Sequence, residues 1–313
     1  MNAERLEEAT IWIDERLAVA GLRRTGPVEQ PHVRPWATVL RAPTTRGTVW
    51  LKAAEPRTAY EIALYPVLAR EVPEHVLAPL GVDTARAWVL LPDGATSLGQ
   101  RASGAELVRA LCAVLPQYAE LQRALAPHAD ELLALGVPDM RPAAMPARFE
   151  EAMDATRAQA GRSDVHARLA AERGTVAGWC AQLAAGPGGV SLDHNDLHAW
   201  NVLGEGTYRF YDWGDSVVAH PFASMLLPLT DGRTRADEAA ALRLRDAYLE
   251  AWSDLAPHAE LVETLELAVR VGWIARSHTW LRAVGDATDD RWATAPLESL
   301  AAILSPPWAP SRG

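Results

Sequence analysis

The chain has 313 residues, with 30 Lys+Arg against 40 Asp+Glu, a formal net charge of −10 and 49% hydrophobic residues. That balance excludes a nucleic-acid binder, which needs a basic stripe to displace counterions, and the length exceeds one simple core, so two lobes are expected. No run of about 18 uncharged apolar residues occurs, so no membrane span is expected, and the acidic, amphipathic start MNAERLEEATIWIDERL is unlike a secretion signal, which places the protein in the cytoplasm.

In chain order, residues 3–21 read as a helix, with Leu6, Ile11, Ile13, Leu17 and Val19 at helical spacing and Gly21 to end it. From about Trp36 to Ala53, WATVLRAP and TVWLKAA read as strands of a hairpin turning at TTRG. TAYEIALYPVLAREV reads as a helix with Thr58 as N-cap and Pro66 as a kink. HVLAPLGVD and AWVLLPDG give two short strands, the second closing on a Pro-Asp-Gly turn.

Beyond Gly94, helices are expected near 104–125, 144–159, 165–185, 235–253, 258–283 and 297–304, interrupted by short strands over 191–218. AAGPGG is a loop and SPPWAPSRG a frayed tail. Cys112 and Cys180 fall in helical stretches without zinc-type spacing and read as two buried, reduced thiols. The fold class is therefore α+β: a small β-rich N-terminal lobe over residues 1–92, including the leading helix, and a larger, mainly helical lobe over 93–313.

Chemistry concentrates in SLDHNDLHAWNVLGEGTYRFYDWGDSVVAHP. Asparagine occurs only at Asn2, Asn195 and Asn201, and two of these lie within seven residues of each other beside His194, Asp196 and His198. A strand at Asn201–Leu203, a turn at GEGT and a return through YRFYDW bring Asp212 back beside Asn201. Such a set suits phosphoryl transfer: one carboxylate orients the attacking hydroxyl, while an asparagine carbonyl and a second carboxylate hold Mg²⁺. The spacing His194-x-Asp196-x-x-x-x-Asn201, followed by Asp212-Trp-Gly214, is that of a kinase catalytic loop and its metal motif. Two other classes stay open on these residues. His194, Asp196 and His198 with Asp212 also read as the ligand cluster of a metal-dependent hydrolase, and a non-catalytic nucleotide-binding protein is the third reading.

On HNDLHAWN and DWGD the chain resembles the aminoglycoside phosphotransferase family, which has a protein-kinase-like two-lobed fold and phosphorylates hydroxyls of small molecules. The resemblance implies that Asp196 is the catalytic base and that Asn201 and Asp212 are the metal ligands. It also explains the chain's one lysine, Lys52, set among 29 arginines. In such folds a strand lysine holds the ATP phosphates and is itself held by a glutamate of the next helix, here Glu61 in preference to Glu55. The implied cofactors are Mg²⁺ and ATP, with GTP not excluded, and the implied partner is a small hydroxyl compound such as an aminoglycoside or amino sugar.

The sequence departs from the family in two places. RPWATVLRAP replaces a glycine-rich phosphate loop, leaving Thr38 to offer a hydroxyl. HPFAS, with His220 and Ser224, stands where D-P-x-x-D is expected. Around the site, His194 reads as structural, His198 and Trp200 as shaping either substrate or loop, and Asp215 as contacting metal or substrate or capping a turn. Trp273 and Trp280 share a helix face with Arg276 between them, as core or as a stacking surface for a sugar ring.

Overall fold

The computed structural model describes residues 1–158, 163–230, 237–284 and 292–305. Helix α1 (Ala3–Val19) is capped by Asn2, whose side chain accepts from the Arg5 N–H. It lays Trp12, Ile13 and Leu17 on a five-stranded antiparallel sheet of β1 (Glu29–Arg34), β2 (Ala37–Thr44), β3 (Gly47–Ala54), β4 (Gly81–Asp83) and β5 (Trp88–Pro92), ordered β1-β2-β3-β5-β4. Val49, Leu51 and Ala53 of β3 join Leu40, Trp88 and Leu90 beneath α1. Each large side chain so buried contributes about 1.5–3 kcal/mol. The two-residue period of a strand then obliges Lys52 onto the opposite face, toward the rest of the molecule.

The hairpin at TTRG forms as expected, with Thr44 opposite Gly47 at the turn. Strand β1 lies ahead of the expected strands. All six of its residues are exposed, so no buried face imposes the alternation by which a strand is recognised. Helix α2 (Tyr60–Glu71) follows a 3₁₀ turn, and Thr58 does not cap it: the Thr58 hydroxyl donates to the carbonyls of Trp36 and Glu55. Pro66 lies inside α2 without ending it. The strand expected at HVLAPLGVD contracts to β4, and Val76 only bridges to Phe210.

The C-terminal lobe comprises α3 (Leu98–Arg101), α4 (Gly104–Leu125), α5 (Ala129–Ala134), α6 (Met145–Ala155), α7 (Ser163–Ala171), α8 (Arg173–Ala185), α9 (Leu226–Thr230), α10 (Glu238–Glu250), α11 (His258–Val284) and α12 (Ala295–Ala301). Short strands β6 (Asp139–Met140), β7 (Ser191–Asp193) and β10 (Val217–Ala219) form one sheet, and β8 (Val202–Leu203) pairs with β9 (Arg209–Phe210). The helix expected over 165–185 is two helices, interrupted at Glu172. Residue 159 of the expected 144–159 helix, residues 235–236 of the 235–253 helix and residues 306–313 of the tail lie outside the described residues. Cys180 is buried and Cys112 half-buried, both free. No described helix is long and apolar enough to cross a membrane. The architecture is the two-lobed α+β arrangement, a β-rich N-terminal lobe on a mainly helical C-terminal one.

Candidate active site

Strand β7 delivers the chain into HNDLHAWN through Asn195, whose backbone is left-handed at φ 55°. A 3₁₀ turn, Ala199–Asn201, leads to the β8–β9 hairpin. Gly204 there has φ 88°, and a Cβ would fall 2.6 Å from the Thr207 carbonyl oxygen, so the turn requires glycine. On the return, the Tyr211 N–H donates to the Asn201 carbonyl at 3.3 Å, which sets Asp212 beside the loop it left. Asp212 is itself left-handed, with φ 65° and ψ 60°.

From the other lobe, the Lys52 ammonium reaches both oxygens of Glu61, at 2.8 and 2.7 Å, and Asp212 Oδ1 at 2.5 Å. Burial works against the ammonium, but the charges of Asp212 and Glu61 outweigh it, and its pKa is raised well above the ordinary lysine value. Burial pushes Glu61 up to about 7, against the pull of Lys52. Tyr60 anchors α2 by donating to the Gly214 carbonyl at 2.5 Å. The neighbouring Gly214 Cα leaves little space. An added Cβ would lie 3.0 Å from Glu61 Oε2 and 3.5 Å from Lys52 Nζ. Gly214→Ala is therefore expected to displace the Lys52–Glu61 pair and slow turnover by about tenfold with the melting temperature little changed. Steady-state kinetics beside a thermal melt check this, and parent-like turnover would show that the pair tolerates displacement.

Asp196 is surrounded by donors. Asn201 Nδ2 donates to its carbonyl at 3.0 Å and to Oδ2 at 3.2 Å, His198 Nε2 lies 3.2 Å from Oδ2, and Arg276 Nη2 lies 3.0 Å from Oδ1. Burial alone would raise this carboxyl, but the His198 hydrogen bond and the Arg276 charge hold it below the ordinary carboxylate range. Arg276 also donates to the Asn195 carbonyl at 2.9 Å and to Asp215 Oδ2 at 3.1 Å, and its guanidinium lies 5.4 Å from the Trp280 ring centroid. Trp280 in turn stacks on Trp292 at 5.0 Å. Asp215 is pushed up to about 6 by burial and by Asp196, with Arg276 opposing.

One cavity of about 170 Å³ is lined by Lys52, Glu61, Asp196, Asp212, Asp215, Arg276 and Trp280, so these sequence-derived candidates meet in one place. Trp36, Thr58, Thr279 and Ala283 line it too, and sequence reasoning missed them. In the sequence Trp36 opens the expected strand WATVLRAP, and nothing in that pattern marks it for a site. Three residues are placed elsewhere. Trp273 packs half-buried against the main core rather than sharing the cavity with Trp280. Trp200, 40% exposed, lies against Gly99, and Thr38 is buried within β2. His198 and Asn201 do not line the cavity and reach it only through Asp196.

His194 is spent structurally: its Nε2 donates to the Tyr211 carbonyl at 2.9 Å and its ring packs on Trp213. Among the described residues no group of three or more His, Cys, Asp or Glu is arranged to hold a metal ion, so the His194-x-Asp196-x-His198 cluster does not assemble. The Asn201 amide nitrogen donates to Asp196, and the hairpin returns the half-exposed carboxylate of Asp212, so the donors that could hold a hard cation are one amide oxygen and one carboxylate. Ser224, where the resemblance expects an aspartate, donates its hydroxyl to Asp193 Oδ1 at 2.6 Å, and His220 turns its Nε2 to the Pro187 carbonyl.

The model of a phosphotransferase enzyme family matches residues 37–260. No curated protein matches the sequence. Among solved structures, a macrolide 2'-phosphotransferase type I superposes with TM-score 0.62 at 17% identity, over 94% of this chain and 97% of that one. The GDP and kanamycin complex of APH(2")-IIia gives TM-score 0.59 at 14% identity, over 89% and 93%. An ethanolamine kinase from Plasmodium vivax gives TM-score 0.60 at 12% identity, over 90% and 83%. At these identities the likeness is one of fold.

Proposed function

We propose, for a chain that belongs to the phosphotransferase enzyme family, that it moves the γ-phosphoryl group of ATP, with GTP as the alternative donor, to a hydroxyl of a small molecule. The observation that carries this reading is the single cavity in which the Lys52–Glu61 pair faces Asp196 and Asp212, with Asn201 bonded to Asp196. In this reading residues 1–92 take the nucleotide and residues 93–313 supply the acceptor site and the catalytic loop.

Each side chain has a role set by its surroundings. Lys52, fixed by Glu61, places a compact positive charge for the nucleotide phosphates. Asp196 accepts the hydrogen bond of the acceptor hydroxyl and orients it. Since its carboxyl is held below the ordinary range, it orients the nucleophile and takes the proton late, which suits a loose phosphoryl-transfer transition state. Asn201 and Asp212 would hold Mg²⁺, which when bound would neutralise negative charge on the nucleotide phosphates. Arg276 and Trp280 bound the acceptor side, where the ethanolamine, macrolide and kanamycin named for the superposed structures define the range of acceptors worth testing.

A nucleotide-coupled screen of the purified protein against hydroxyl compounds, with and without Mg²⁺, tests the reading. Metal-dependent phosphate transfer to at least one acceptor is expected, and turnover that ignores both nucleotide and Mg²⁺ would overturn it. Asn201 and Asp212 should also behave as one site. Asp212→Ala is expected to weaken Mg²⁺-dependent nucleotide binding by about tenfold or more, and Asn201→Ala added to it to cost little further, because two ligands of one ion are non-additive. Calorimetric titrations of the two single variants and the double variant decide this, and fully additive losses would separate them.

A further inference from the structure

We infer that Asp193 is a positioning residue of the transfer site: its buried carboxylate, outside the cavity, holds the Asn195 backbone in the left-handed turn that aims Asp196. The inference rests on the role proposed above for Asp196. Asp193 ends β7 and is 1% exposed. Its Oδ1 accepts two hydrogen bonds, from the Asn195 N–H at 2.7 Å and from the Ser224 hydroxyl at 2.6 Å.

Behind this pair stands a second rank of buried groups. Gln122 of α4 donates to Ser224 Oγ at 3.0 Å, and the Tyr248 hydroxyl of α10 donates to Gln122 Oε1 at 2.6 Å. Tyr118 of α4 accepts the His194 N–H at 2.9 Å. The backbone N–H groups of both residues that precede Asp196 are thus held from the protein interior. On the cavity side the Asn195 carbonyl takes Arg276, and the Asn195 side chain donates to Thr279 at 2.8 Å. Asn195 is gripped from two directions in the left-handed conformation, which asparagine adopts more readily than other non-glycine residues and which these bonds fix in place.

A neutral acceptor would satisfy the same two donors, so the charge needs its own explanation. Asp193 Oδ2 is buried and has no hydrogen-bond partner. The titratable or charged groups it interacts with are Tyr118 from α4, Tyr248 from α10 and Arg276 from α11. Burial pushes the carboxyl up to about 6, against Ser224, the Asn195 N–H and Arg276. The folded pKa lies above the unfolded one. Between about pH 4 and 6 the folded chain therefore keeps a proton that the unfolded chain has released. Stability falls as pH rises through that window, and the full cost of the bare charge is present above it. An ionised carboxylate retained at that cost strengthens its bond to the Asn195 N–H, since charge-assisted hydrogen bonds are roughly twice as strong as neutral ones.

The test uses the full chain, Mg·ATP with water as acceptor, and the variants Asp193→Ala, Asp193→Asn and Asp196→Asn. In Asp193→Ala, amide exchange over residues 194–203 should quicken by about tenfold or more, while the segments bearing Lys52 and Glu61 exchange as in the parent. Its kcat for nucleotide hydrolysis should fall about 10²-fold with KM for ATP within about twofold. Asp193→Asn keeps a carbonyl oxygen for both donors and should recover most of the loop protection and turnover. Its gain in melting temperature over the parent should be larger at about pH 8 than at about pH 5. Parent-like loop exchange and kcat in Asp193→Ala overturn the inference. If that variant does not fold, Asp193→Ser, too short to hold both donors, takes its place, and parent-like loop exchange and kcat in it overturn the inference. Parent-like hydrolysis by Asp196→Asn, with a loosened loop in Asp193→Ala, would remove the role of Asp196 and leave the anchoring standing.

Discussion

Asp196→Asn is expected to lower phosphoryl transfer by about 10²-fold or more while nucleotide affinity stays within about twofold of the parent. Both carboxylate oxygens of Asp196 face donors: Oδ1 faces Arg276, and Oδ2 faces His198 and Asn201. An amide in either orientation presents its NH₂ to one of those donors, so the substitution removes the acceptor for the hydroxyl and also sets donor against donor. The Lys52–Glu61 pair does not touch Asp196, and so nucleotide binding is left to residues the change does not reach. A coupled kinetic assay beside calorimetric nucleotide titration separates the two effects, and near-parent turnover would take Asp196 out of the mechanism.

Lys52→Arg is expected to lose nearly as much turnover as Lys52→Ala, about 10²-fold. A role for charge alone predicts no effect. The ammonium, however, occupies a point between Glu61, which is fully buried, and Asp212, with the Gly214 Cα close on a third side. A planar guanidinium is longer and wider and seeks forked partners, so it would have to move Glu61 or Asp212 to enter. Moving Asp212 displaces a proposed metal ligand, and moving Glu61 shifts a residue buried behind the cleft. Kinetics on the two variants and the parent decide the matter. A fully active arginine variant would make the single lysine an accident of composition.

The parts of the site legible in the sequence were those whose spacing is set by local backbone. Asp196 and Asn201 share one loop, and the β8–β9 hairpin returns Asp212 by a count of residues that the GEGT turn announces. Lys52 could be read because it is rare and because strand alternation sends it to the face opposite Leu51. Trp36, Thr279 and Ala283 were not legible as site residues, since they come to the one cavity from the β1–β2 turn and α11, segments more than 200 positions apart. Arg276 and Trp280 could be named but not assigned, because a helix period marks a face and does not say what the face meets. Trp273 shows the converse: it shares a helix face with Trp280, yet helix α11 uses Trp273 for the core and Trp280 for the cavity. Asp193 passed unnoticed because its partners, on α4, α10 and the segment Pro221–Met225, are brought to it only by the tertiary fold.

Strand β1 forms an outer edge of the sheet, where among the described residues one row of backbone groups has no neighbouring strand. Such an edge is a template for a strand of another molecule, the usual start of edge-to-edge aggregation. The sequence EQPHVR blunts it in several ways. Pro31 brings no N–H, the register with β2 is irregular between Glu29 and His32, and Glu29 and Arg34 place charges along the exposed strand. Glu29 is also drawn back toward Arg41 of β2 by an ion pair. A second chain laid along this edge would meet a missing donor, a broken ladder and charges to desolvate. The same exposed, polar character that hides β1 in the sequence is thus what a second strand would have to desolvate to pair with it.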